Sequence, residues 1–124
     1  MIHTNVDLQP HNTFGLSSNA KKFAGFDSID TLKNLLIANQ TVKDKMLILG
    51  GGSNILLTKD FDGLVLKNNL KGIEVVSEDG NFNYVKANAG ETWHDFVLHA
   101  IKSNLGGIEN LSLIPGSVGA APMQ

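Results

Sequence analysis

The 124-residue sequence contains no cysteine, which excludes thiolate catalysis, cysteine-type zinc centres and disulfide staples. It also lacks any stretch near the ~18 consecutive apolar residues of a membrane span. Positive charge is not in excess, the formal net charge being −2, and a phosphate backbone is normally met by a basic face, so nucleic acid is not expected as a partner. The first ten residues, Met1 to Pro10, include Asp7 and polar groups where a secretory leader needs basic residues and then an apolar run. A cytoplasmic location without membrane attachment is the expectation. What is present, 42% hydrophobic and 18% charged residues, suits a soluble globular chain long enough for a real core without a metal or disulfide.

Residues Lys21 to Phe26 read as a short strand, and Ser28 offers a helix N-cap to Ile29, Leu32, Leu35 and Leu36, one apolar stripe ending near Asn39-Gln40. Met46-Leu47-Ile48-Leu49 is a continuous apolar run bounded by polar residues and glycines, which predicts a strand buried on both faces. After the Asp62-Gly63 turn signal comes a further short strand, Leu64-Val65-Leu66. Gly72 to Ser77 and Phe82 to Ala89 form a predicted hairpin joined by Glu78-Asp79-Gly80-Asn81. Thr92 opens a second helix with Asp95 in a capping-box position. Trp93, Phe96, Val97, Ala100 and Ile101 then mark its apolar face, and Gly106-Gly107 stop it.

This is an α+β pattern with a boundary near Asn68-Asn69-Leu70-Lys71, giving residues 1–68 and 69–124 as two small subdomains. The chain runs out in small residues from Pro115 to Gln124 without a closing element. The second subdomain is therefore expected to be incomplete.

Gly50, Gly51, Gly52, Ser53 and Asn54 directly follow a strand. Each structured glycine costs about 0.5–1 kcal/mol of chain entropy relative to alanine, so three in a row call for a reason. One is a plain tight turn. The other is an anion site, in which backbone without Cβ atoms presents successive N–H groups to phosphate oxygens while Ser53 and Asn54 add side-chain donors. The loop has neither the Gly-Lys-Ser/Thr ending of a P-loop nor G-x-G-x-x-G spacing. Ile55-Leu56-Leu57-Thr58 looks extended, so a pyrophosphate here would rely on loop amides more than on a helix dipole.

A second small-residue segment, Ile114, Pro115, Gly116, Ser117, Val118, Gly119, Ala120 and Ala121, would let a flat ligand or its diphosphate lie against main chain, with Pro115 and Pro122 stiffening the path. A glycine-rich surface loop is the alternative. His94 and His99, five apart on a helix, fall on different faces and make no metal pair. His3 and His11 lack partners at ligand spacing. Trp93 reads as a core anchor. Glu91, Asp95 and Glu109 form no carboxylate pair of diagnostic spacing.

Five motifs in order, Asn12-Thr13-Phe14-Gly15, Ile48 to Asn54, Ala89 to His94, Gly107 to Leu111 and Ile114 to Gly119, make the chain resemble the UDP-N-acetylenolpyruvoylglucosamine reductase (MurB) family over essentially its whole length. The resemblance implies a vanillyl-alcohol-oxidase/PCMH-type fold, in which two α+β subdomains clasp an extended FAD and a third domain, absent here, supplies much of the substrate site. It implies that Gly50 to Asn54 bind the FAD diphosphate, that Ile114 to Ala121 run along the flavin and its diphosphate, and that Asn12 and Thr13 help shape the cofactor site. Relatives often carry Glu in place of the middle glycine, so Gly51 is tolerated variation. Ala120 to Gln124 is similar to a branch with Ser-Ser-Pro-Ile-Gln, after which Asn-Ile-Gly-Ala-Tyr-Gly is expected.

In the family, NADPH reduces FAD, and the reduced flavin passes hydride to the enolpyruvyl group of a UDP-sugar on the route to cell-wall peptidoglycan. A serine, an arginine and a glutamate assist. Those residues belong to later segments, and the present chain has no arginine, so no catalytic residue and no metal ligand is assigned within it. The whole protein is expected to be a monomer and the isolated segment inactive and prone to self-association. The alternatives are an FAD-dependent sugar or alcohol oxidase of the same fold, or a non-catalytic nucleotide-binding module.

Overall fold

The computed structural model describes residues 1–42 and 45–123, and the chain divides into two compact units, Met1–Asn69 and Leu70–Gln124. In the first unit β1 (His3–Asp7), β2 (Asn19–Phe26), α1 (Ile29–Val42), β3 (Lys45–Leu49) and β4 (Phe61–Asn68) follow in chain order. The sheet order is β1-β2-β4-β3. β1 runs antiparallel to β2, whereas β2 and β3 both run parallel to β4.

β2 and β4 are therefore the inner strands, and in β4 Leu64, Val65 and Leu66 are all fully buried. That corrects the expectation for Met46 to Leu49. The run does form β3, but at a sheet edge, where Met46 and Ile48 are 49% and 62% exposed; an apolar run alone does not distinguish an edge strand from a central one. One sheet face carries a cluster of Leu8, Ala20, Leu49 and Val65, against which Phe23, Leu47, Ile55, Leu57 and Phe61 pack. Each large side chain buried this way contributes roughly 1.5–3 kcal/mol.

α1 begins at Ser28, whose Oγ accepts the Thr31 amide at 3.1 Å, the expected N-cap. Its buried seam is narrower than the sequence stripe. Leu35 is buried and Leu32 and Leu36 half-buried, but Ile29 in the first turn is 53% exposed.

The second unit contains a hairpin of β5 (Ile73–Glu78) and β6 (Asn83–Ala87), then α2 (Trp93–Lys102). Asp79 shapes the hairpin turn by accepting the amides of Asn81 and Phe82 at 3.1 and 2.8 Å. Val97 and Ala100 are the buried residues of α2, and Ile101 is 46% exposed.

Both ends of α2 differ from expectation. Thr92 stands at the N-cap but makes no side-chain cap bond; the first helical amide, Trp93 N–H, donates instead to the Gly116 carbonyl at 3.0 Å. A distant loop thus satisfies the first helical amide, and the expected side-chain cap from Thr92 is not formed. At the other end the helix stops before Gly106-Gly107, because Asn104 adopts a left-handed φ of 56°. Leu105 N–H then reaches the Ala100 carbonyl at 2.9 Å and Asn104 N–H the Ile101 carbonyl at 3.0 Å, the paired bonds of a Schellman motif with asparagine in place of glycine.

Candidate functional site

The glycine loop is held by a turn that precedes it by some forty residues in the chain. Leu8 is fully buried, and its amide donates to the Ser18 carbonyl at 2.8 Å, closing residues 8–18 into a loop. Asp7 clamps the same closure, its Oδ1 accepting from Gln9 N–H at 3.0 Å, Ser17 Oγ–H at 3.2 Å and Ser18 N–H at 3.3 Å. These bonds, that from Gln9 foremost, hold the Asp7 carboxyl below its ordinary range.

Inside this turn the buried Asn12 side chain spends both its functional ends on main chain. Nδ2 donates to the Leu8 and Leu16 carbonyls at 2.8 and 2.9 Å, and Oδ1 accepts the Leu16 amide at 3.1 Å. Asn12 thus shapes the turn. Thr13 carries it to the glycine loop, its amide donating to the Gly52 carbonyl at 3.0 Å and its hydroxyl to the same oxygen at 3.3 Å.

Gly52 has φ +72°, and a Cβ there would overlap the His11 carbonyl oxygen and lie 2.9 Å from the Asn12 Cα. This glycine is required by the contact between two main-chain segments. Gly51 and Asn54 are exposed and Ser53 half-buried. Among the described residues, none of the amides of Gly51, Gly52, Ser53 and Asn54 donates a hydrogen bond within the protein. After the loop the chain leaves in extended form, with Ile55 and Leu57 packed on the core and Leu56 62% exposed. Successive unspent amides with hydroxyl and carboxamide side chains are the donor set that diphosphate oxygens require. The residues present therefore fit such a group.

Two neighbours of this loop carried no signal in the sequence. Lys67, on β4, is paired in register with Leu49, the last residue before the loop, and its ammonium donates to the Gly50 carbonyl. His11 stacks on Phe23 with ring centroids 4.7 Å apart. Burial, then the positive charge of Lys67, hold the His11 imidazole below its ordinary range, against an opposing pull from Asp7. A surface lysine and a tail histidine are unremarkable in sequence, and only the parallel register brings Lys67 to the loop.

In the second unit, the small-residue segment lies along the entry to α2. Val118 N–H donates to the Glu91 carbonyl at 2.8 Å and Gly119 N–H to the Ala89 carbonyl at 3.0 Å. A Cβ on Gly119 would lie 2.7 Å from that of Ala89, so this glycine too serves chain packing. Ala120 N–H turns back to Ser117 O at 3.0 Å, beginning a 3-10 segment over Val118–Met123. Ser117 is buried, whereas Ile114, Gly116, Val118, Ala120 and Ala121 are half-buried and Pro115 is exposed. With the amides of Val118, Gly119 and Ala120 engaged, any ligand here meets the segment mainly through its surface and its remaining polar groups.

The weaker candidates have structural partners. His94 Nδ1 accepts the Leu113 amide at 3.2 Å, and Trp93 Nε1 donates to the Leu111 carbonyl at 2.7 Å. Glu91 accepts Gly72 N–H at 2.6 Å and pairs with Lys71 at 3.3 Å. Glu109 is held below its ordinary range by its own amide and that of Gly107. Among the described residues no group of His, Asp or Glu could hold a metal ion, and no helix is long and apolar enough to cross a membrane.

A family profile described as an FAD binding domain matches residues 21–124. The chain belongs to this FAD-binding-domain family. Among curated relatives, the UDP-N-acetylenolpyruvoylglucosamine reductase of Flavobacterium johnsoniae is 52% identical over 123 residues, and that of Neisseria gonorrhoeae 47%. Each alignment covers 99% of this chain but 36% of the relative, so the FAD-binding domain described here spans about a third of those proteins' length. The crystal structure of the reductase from Thermus caldophilus superposes with a TM-score of 0.69 at 22% identity, covering 98% of this chain and 41% of that one. The α+β architecture is thus the fold of that reductase's matching region.

Proposed function

We propose that this chain is the FAD-binding part of a UDP-N-acetylenolpyruvoylglucosamine reductase, which reduces UDP-N-acetylglucosamine enolpyruvate to UDP-N-acetylmuramate with NADPH in the cytoplasm. The observation that carries the reading is the glycine loop, whose amides from Gly51 to Asn54 are unspent within the described structure, in a chain 46–52% identical to relatives bearing that name. Gly50, Gly51, Gly52, Ser53 and Asn54 would hold the FAD diphosphate, with Asn12 and Thr13 fixing the loop. Ile114, Pro115, Gly116, Ser117, Val118, Gly119, Ala120 and Ala121 would form the surface along the flavin. When bound, the flavin supplies the hydride chemistry between NADPH and the enolpyruvyl double bond. The role of these residues is binding and orientation, and the proton-transfer residues would lie elsewhere in the whole protein, which we take to act as a monomer.

The test is the intact protein. It should purify yellow with FAD and oxidise NADPH only when the enolpyruvyl nucleotide is supplied. A protein that takes up no FAD would overturn the reading, and oxygen consumption with a sugar alcohol, independent of NADPH, would replace it with an oxidase.

A further inference from the structure

We infer that Lys67 is the charge-bearing element of the glycine loop, giving it selectivity for a diphosphate-bearing flavin over an uncharged one. The inference rests on the proposed FAD reading and deepens it.

The free amides of Gly51 to Asn54 match phosphate oxygens in geometry, but a backbone amide carries only partial charge. A dinucleotide diphosphate brings about two full negative charges. Lys67 stands where that charge would be met. The buried stretch Leu64 to Leu66 lies on β4, an inner strand, the parallel register sets Lys67 opposite Leu49, and its ammonium reaches the Gly50 carbonyl at the start of the loop. From that point its field already acts on His11, whose backbone is packed on Gly52. A cation held by the first loop residue, with its charge felt at His11 beside the loop, is suited to attract an anion lying across the loop. Lys67 thus has two effects, fixing the Gly50 carbonyl and supplying charge, and they separate experimentally because only the second is screened by salt.

The experiment uses the intact protein stripped of flavin, titrated with FAD and with riboflavin, which has no phosphate, following flavin fluorescence. Lys67→Gln and Lys67→Met should weaken FAD binding by about tenfold and leave riboflavin binding unchanged. Lys67→Arg should stay within about threefold of the parent for FAD. The gap between parent and Lys67→Gln should close as salt rises from roughly 0.05 to 0.5 M. Should the neutral variants not fold, the parent itself gives the answer, its FAD affinity falling with salt while its riboflavin affinity holds. Equal losses for FAD and riboflavin, a gap insensitive to salt, or no loss of FAD affinity would each overturn the inference. A parent protein that binds no FAD would instead remove the functional reading on which it rests.

Discussion

The Cα of Gly52 is packed against the backbone of His11 so closely that a methyl group on Gly52 would occupy the space of the His11 carbonyl oxygen. Two segments that meet main chain to main chain, and are joined again through Thr13, cannot shift independently. Gly52→Ala combines this overlap with a left-handed φ of +72°, and should cost about 3 kcal/mol or more. Gly51→Ala, at an exposed position outside the left-handed region, should cost under about 1 kcal/mol. Urea unfolding of the two variants measures the difference, and equal losses would show that the His11 contact is not limiting.

Asn12 makes a stricter demand. Replacing it by alanine leaves the carbonyl and the amide of Leu16 without their partner, while the Leu8 carbonyl keeps only the His11 amide, an expected loss of about 2–3 kcal/mol. Asn12→Asp should be worse at neutral pH, since a carboxylate would face two carbonyl oxygens, and should recover in part as acid protonates it. Melting temperature measured from neutral to mildly acidic pH distinguishes the two variants.

The pH dependence contributed by His11 has a definite sign. Its folded pKa lies below the ordinary 6.5, so the unfolded chain takes up the proton first as pH falls. The stabilisation is complete above the unfolded value and is lost as pH descends through the folded one. Lys67→Gln should move the His11 titration upward and flatten that slope. A proton NMR titration of the His11 ring that is unchanged in the variant would show that the lysine charge does not reach it.

At the C-terminal end of α2, Asn104 holds the left-handed position. Asn104→Gly should be neutral or slightly stabilising, Asn104→Ala should cost about 1 kcal/mol, and Gly106→Ala, with open space around its Cβ, should be silent. If Gly106→Ala is the damaging change, the helix ends where the glycines stand and not at Asn104.

Thr92→Ala tests the other end. With no side-chain cap bond to lose, the change should stay within about 0.5 kcal/mol, against the ~1 kcal/mol of a working cap. Unfolding measurements on this single variant show whether the Thr92 hydroxyl contributes a cap.

Most elements were legible because their signals are local. Ser28 caps α1, the Asp79 turn closes the hairpin, and the apolar face of α2 follows from residue spacing alone. What was illegible depends on pairs far apart in the chain. Nothing near Met46 and Ile48 says that β4, later in sequence, will take an inner position and leave β3 at the edge. Nothing near Thr92 says that Gly116 will supply the carbonyl for Trp93. Three adjacent glycines announce a backbone-lined loop, yet the need for Gly52 comes from His11, and the need for Gly119 comes from Ala89. Lys67 was invisible for a plainer reason: a lysine at a strand end is by default a solvated residue, and only the register shows which carbonyl it meets.

The bonds from Val118 and Gly119 to the segment before α2 should make hydrogen exchange of the linked amides collective. These two amides open the 3-10 segment Val118–Met123, where no carbonyl of that segment precedes them to accept their bonds, and their acceptors, Glu91 and Ala89, belong to the stretch that also delivers Trp93 to Gly116. Opening any one of these links should loosen the others, so Trp93, Val118 and Gly119 should show a common protection against exchange with solvent deuterium, as one small unfolding unit. The surface proposed to meet the flavin would then be only as persistent as the first turn of α2.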